Sequence, residues 1–151
     1  EQWDGSAWTE LNDLNTAREA GGGGGTQTAA FLASGNVYPN TQPTAVEIWD
    51  GTSWTEVNNV NTGRQGTGSS GITTSALLYG GATPPNSALA EQYDGTSWTE
   101  VADLATARQG VGKGTGASGG SALAAGFDGS PSTITEEWTS PVYTIKTVTI
   151  S

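Results

Sequence analysis

Glu47-Ile48-Trp49-Asp50-Gly51-Thr52-Ser53-Trp54-Thr55-Glu56 recurs along this chain, and its recurrence sets the architecture. Before it stands Glu1-Gln2-Trp3-Asp4-Gly5-Ser6-Ala7-Trp8-Thr9-Glu10, and after it Glu91-Gln92-Tyr93-Asp94-Gly95-Thr96-Ser97-Trp98-Thr99-Glu100. A worn copy opens at Glu136-Glu137-Trp138. The copies start at 1, 47, 91 and 136, in steps of 46, 44 and 45 residues. A period of this length marks stacked supersecondary units, none of which can bury its apolar face alone. Residues present in every copy are those each copy needs to fold. The repeat therefore speaks to fold before function.

Reading outward from the central copy gives the unit. Ala45-Val46-Glu47-Ile48 alternates as a half-buried strand does. Asp50-Gly51 then turns the chain, since Gly reaches positive φ without a Cβ clash. Ser53-Trp54-Thr55-Glu56-Val57 returns. Residues 58–64 are a loop by composition, 65–72 are Gly- and Ser-rich and weakly strand-like, and 74–79 are an apolar strand stopped by Gly80-Gly81. Four short strands per period predict an all-β chain of four-stranded antiparallel propeller blades. The 151 residues divide into repeats 1–46, 47–90 and 91–135 and a terminal segment 136–151, all one module.

These residues resemble the kelch family, whose unit runs from an apolar strand and Gly doublet through an aromatic and a Trp to an Arg. Here that order is Leu77-Leu78-Tyr79-Gly80-Gly81, Tyr93, Trp98 and Arg108. The doublet reads as Gly35-Asn36 in the first repeat and Gly126-Phe127 in the third. The aromatic precedes the Trp by five residues, a compressed spacing. With Asp-Gly-Thr-Ser-Trp-Thr-Glu and Thr-Ala-Arg, the compressed form resembles the kelch-like arrays of marine bacteriophage virion proteins. That resemblance implies a virion or extracellular structural protein, such as a tail, fibre or capsid-surface component.

The frame of the repeat predicts fourteen strands. The chain opens on the two outer strands of a blade (1–4 and 7–11), two full sets follow, and a last set runs from 109 to 150 with 142–150 outermost. Three and a half blades leave an open strand edge, which invites pairing with another chain. The array is expected to be open, or completed by a partner or by missing sequence. Partners are expected at 1–11 and 142–151: other copies or neighbouring virion proteins, with a cell-surface glycan as a further prospect. Because the first residue is Glu, the chain reads as a processed product or part of something longer.

Composition narrows the chemistry. Fifteen acidic residues face five basic ones, a net charge of −10. Nucleic acid and anionic membranes select basic patches, so neither is an expected partner. No apolar run approaches the roughly 20 residues of a membrane-spanning helix. His and Cys are both absent. Ser-His-Asp and Cys-His catalysis therefore cannot be assembled. No metal, cofactor or enzymatic activity is expected. A carboxylate pair for glycoside cleavage is the one catalytic arrangement left, and most acids, Asp128 being an exception, sit in repeated slots.

Each recurring residue has two readings. Arg18, Arg64 and Arg108 could ring a carboxylate ligand, or each could pair with a nearby glutamate such as Glu47, Glu91 or Glu136. The pairing is favoured, because a functional centre needs different residues at different blades. Asp4, Asp50 and Asp94 read as turn residues, since one Asp per hairpin does not supply the six to eight oxygens of a calcium site. Trp8, Trp54 and Trp98 read as buried wedges between blades rather than sugar-stacking platforms, and Trp3, Trp49, Tyr93 and Trp138 read likewise. Binding is expected where the repeats differ: Tyr38, Asn40 and Gln42 in one insertion, Pro84 and Asn86 in its counterpart. The expected function is a non-enzymatic structural or attachment module. A carbohydrate-binding propeller is the main rival, and a degenerate glycoside-active enzyme the third.

Overall fold

A computed structural model describes residues 1–111, 117–126 and 133–140 of the chain. Every regular element among them is a strand. An outer pair, β1 (Gln2–Trp3) and β2 (Trp8–Thr9), comes first. The first full sheet follows as β3 (Gly22–Thr26), β4 (Ala29–Ala33), β5 (Val46–Trp49) and β6 (Trp54–Val57). The second is β7 (Gly68–Ile72), β8 (Ser75–Tyr79), β9 (Ala90–Tyr93) and β10 (Trp98–Val101). β11 (Ser121–Ala125) and β12 (Thr135–Thr139) form a last pair. Strands pair antiparallel in sequence order within each sheet, which is the meander of a propeller blade. The expected innermost strand of the last set overlaps 112–116, and its outermost strand is 142–150. Both lie outside the described residues, as does Asp128. No sheet closes on itself among the described residues, which form open, partial blades.

The inner strand of the second sheet, β7, packs on the inner strand β3 of the first and, on its other side, on β11. Small side chains permit that approach. A Cβ on Gly22 would lie 2.3 Å from Leu78 Cδ1 of the second sheet, and one on Gly68 would lie 2.5 Å from Val111 Cγ2 on the other side. Ser69 Oγ donates to the Gly23 carbonyl at 2.8 Å, stitching the two inner strands together. Alternation along β8 then serves two interfaces. Leu78 joins Phe31, Val46, Val60 and Trp98 toward the first sheet. Leu77 and Tyr79 join Val111, Ala122 and Ala124 toward the last pair. The core is thus two apolar seams between blades, not one central cluster.

Two expectations are corrected. The first repeat's counterpart of Gly80-Gly81 is Ser34-Gly35, not Gly35-Asn36. Ser34 and Gly35 have φ of 56° and 111°, matching 61° and 98° at Gly80 and Gly81. Ser34 tolerates the left-handed backbone because its Oγ lies 2.8 Å from the Arg64 carbonyl and accepts the Arg64 N–H at 2.6 Å. Secondly, the tryptophans are not equivalent. Trp98 is 7% exposed, Trp54 is half-buried, and Trp8 is 64% exposed. This Trp leans on the preceding blade: the first full sheet precedes the sheet of Trp98, the β1–β2 pair precedes the sheet of Trp54, and no described blade precedes the pair that holds Trp8.

Gly63 has a contextual role. The matching positions carry Ala17 and Ala107, so repeat comparison would favour alanine here. A Cβ on Gly63 would lie 2.0 Å from the Gln42 carbonyl oxygen, inside the backbone of the neighbouring loop. We expect Gly63→Ala to lower stability by about 1–3 kcal/mol, as overpacking does. A calorimetric unfolding midpoint equal to the parent's would show that the loop yields freely.

Candidate functional site

The recurring charges latch each connecting loop to the blade it enters. Each arginine ends the loop that enters a blade, and each glutamate sits on that blade's third strand. Arg18 donates to Glu47 at 2.6 Å, Arg64 to Glu91 at 2.6 Å, and Arg108 pairs with Glu136. Arg64 is fully buried and also donates to the carbonyls of Gly80, Thr62 and Leu78. Its own backbone carbonyl accepts the Gly35 N–H of the previous blade at 2.9 Å. The second Glu91 oxygen accepts the Asn61 backbone and side-chain amides, at 2.6 and 2.9 Å. Asn15 serves Glu47 in the same way at 2.8 Å. In the third copy Ala105 stands at the asparagine position, and only its backbone N–H reaches Glu136. Burial lowers the pKa of the Arg18 guanidinium, and Glu47 and then Glu56 oppose that shift. Arg18 keeps its charge nonetheless, because guanidinium does not lose its proton in proteins.

The aspartates close the outer hairpins. The loop between β5 and β6 is four residues, 50–53, with Gly51 at φ 98°. Asp50 Oδ1 accepts the Thr52 and Ser53 N–H groups at 2.8 Å each. Asp94 does the same for Thr96 and Ser97, and Asp4 for Ser6 and Ala7. These amides hold the carboxyls below the model-peptide value of 3.8, the amide three residues on contributing most. The lowered folded-state pKa means the turns add stability above pH 3.8 and lose it as pH falls through the folded value. We expect the combined Asp4→Asn, Asp50→Asn and Asp94→Asn variant to show a shallower decline in unfolding midpoint below about pH 4 than the parent. Parallel acid profiles would show that other carboxyls govern the decline.

The insertions lie between the second and third strands of each blade. Each closes a small loop through a backbone bridge, despite unlike sequences. Val37 and Thr41 exchange backbone hydrogen bonds at 2.8 and 2.9 Å, and Ala82 bridges Asn86. Each contains a cis proline bond, Tyr38–Pro39 and Pro84–Pro85. Gln42 Nε2 donates to Asn36 Oδ1 and Asn40 Oδ1 at 3.2 and 3.1 Å, while Tyr38 stands 92% exposed. Tyr38, Pro39, Asn36, Glu19 and Arg18 border a basin of about 280 Å³. Pro84 is exposed on the next loop and Asn86 half-buried. The five variable residues are therefore held on two like loops, and Tyr38, Asn40 and Gln42 share one of them.

A second concavity was not anticipated from sequence. Trp3, Trp8, Trp49 and Trp54, with Asn12 and Gln27, wall a groove of about 300 Å³ between the β1–β2 pair and the first full sheet. Each hairpin's two aromatic rings pack together, at 5.6 Å for Trp3 and Trp8 and 5.5 Å for Trp49 and Trp54. The Gln27 carbonyl accepts Trp49 Nε1 at 3.0 Å. Repetition conceals this groove, since the same rings are covered at the following interface.

Among the described residues no three of His, Cys, Asp and Glu cluster so as to hold a metal. No helix there is long and apolar enough to cross a membrane. Neither protein-family models nor curated proteins yield a match to this chain.

Proposed function

We propose that the chain is a non-enzymatic, kelch-like propeller module that serves assembly or attachment in a virion or extracellular protein. One observation carries this reading. The recurrent charged residues that could have formed a centre are spent on folding: Glu47, Glu91 and Glu136 hold arginines, and Asp4, Asp50 and Asp94 close turns. The variable, outward side chains sit instead on bridged loops that the repeated frame presents. Partners of this reading are neighbouring structural proteins or other copies of the chain.

The aromatic groove supports a second reading, carbohydrate binding, because sugars stack on exposed indole faces flanked by amide side chains. A glycan array separates the two. Under the first reading the array stays blank, and replacing residues 37–41 with a Gly-Ser loop abolishes binding to the natural surface. Glycan binding lost on Trp8→Ala would establish the lectin instead. Turnover of glycosides by the pure chain would overturn both.

A further inference from the structure

The interface between the second sheet and the β11–β12 pair lacks the clasps that hold the two interfaces before it. Asn12 donates to the Thr52 carbonyl at 2.7 Å and Asn58 to the Thr96 carbonyl at 2.6 Å, each reaching the outer hairpin of the next blade. Asn15 and Asn61 then bind that blade's third and fourth strands at once. Their side-chain amides donate to Glu47 and the Trp54 carbonyl, and to Glu91 and the Trp98 carbonyl. The third copy carries Ala102 and Ala105 at these two positions. An alanine side chain has no donor, so both clasps are lost together, and the Ala105 backbone N–H alone still reaches Glu136, at 2.6 Å. The turn that enters β11 is pinned instead. Gly119 N–H donates to the Ser75 carbonyl at 2.9 Å, and the Gly119 carbonyl accepts Gln92 Nε2 at 2.9 Å. Ser70 Oγ donates to the Ser121 carbonyl at 3.2 Å. A Cβ on Gly119 would lie 2.6 Å from the Ala76 backbone.

We propose that β11–β12 is a flap hinged on the Gly119 turn, whose rim side swings away from the second sheet while the two full sheets stay clasped to each other. The pinned turn supplies the pivot, and the missing amides at 102 and 105 free the far side. Opening uncovers Leu77, Tyr79, Ala122 and Ala124, with Trp138 beside them, and so presents an apolar cleft that the closed array hides. Local opening of this kind belongs to the parts of a fold with the fewest cross-links. The hinge needs no partner and stands whichever reading of the module's function holds.

The chain has no Cys, so a single introduced thiol reports each seam. Ala76 and Ala122 are matched positions, each paired with the aromatic of its third strand. They are 1% and 6% exposed, in the seams before and after the second sheet. Ala122→Cys should react with a thiol reagent about tenfold faster than Ala76→Cys, at a rate that low urea does not change, since clasping hydrogen bonds are missing on its side. Adding Ala105→Asn should slow it about tenfold, the weight of one hydrogen bond to a charged group. Adding Asn58→Ala and Asn61→Ala to Ala76→Cys should speed that thiol instead. Hydrogen exchange needs no variant: in the parent chain the Ala105 amide should exchange faster than the Asn61 amide, with the Gly119 amide still protected. Equal thiol rates, an Ala122→Cys rate indifferent to Ala105→Asn, or a urea dependence equal to that of global unfolding would overturn the hinge. Exchange of the Ala105 and Gly119 amides at one rate would overturn it too, by showing that the pair leaves as a whole.

Discussion

Arg64→Met is expected to lower stability by about 3–5 kcal/mol, because it strands Glu91 as an unpaired buried charge. Glu91 is 2% exposed and Arg64 0%. The guanidinium also satisfies the Gly80 and Leu78 carbonyls, which lose their donor together with the carboxylate. Glu91→Gln in the Arg64→Met background should restore part of the loss, since the stranded charge is then gone. Arg64→Lys should fall between, because an ammonium cannot span a carboxylate and two carbonyls in the planar fork that Arg64 uses. Arg108→Met should cost less, since Glu136 is 20% exposed and water can take over its solvation. Urea unfolding of the four variants tests the ranking. A cost for Arg64→Met no larger than for Arg108→Met would show that burial does not set the strength of these latches.

The second large effect separates identical residues. Trp98→Ala should cost about 3–5 kcal/mol, the range for deleting a large core aromatic. Its ring fills the seam formed by Phe31, Val46, Val60 and Leu78. Trp8→Ala should cost less than about 1 kcal/mol, because its ring touches Trp3 and otherwise faces solvent. Trp54→Ala should fall between the two. Calorimetry on the three variants reads the gradient directly. Equal losses would show that each Trp serves its own hairpin and that the preceding blade is irrelevant.

Much of the candidate site was legible before any coordinates. The spacing of Arg18, Arg64 and Arg108 against Glu47, Glu91 and Glu136 pointed to pairing, and the pairs form. The insertions around Tyr38 and Pro84 stood out because they break the repeat. Their shared shape did not, since the bridges of Val37 to Thr41 and Ala82 to Asn86 are backbone contacts that no side-chain pattern records. The tryptophan groove was hidden for another reason: its walls are repeated residues, and repetition had assigned them to the core.

By itself, the sequence determined everything that contiguous residues settle. Strand alternation, the hairpin carboxylate that caps amides two and three residues on, and the period that stacks four strands per unit all act within a few residues. Tertiary structure alone decided which copy of a repeated residue is buried. Trp8 and Trp98 sit in closely similar local sequences, yet burial comes from the blade next door, and their neighbours differ. Gly63 must lack a side chain that Ala17 and Ala107 carry, because the Gln42 carbonyl lies 2.0 Å from where its Cβ would stand. A repeat specifies its own hydrogen bonds through local chemistry. The water it excludes depends on what is stacked against it.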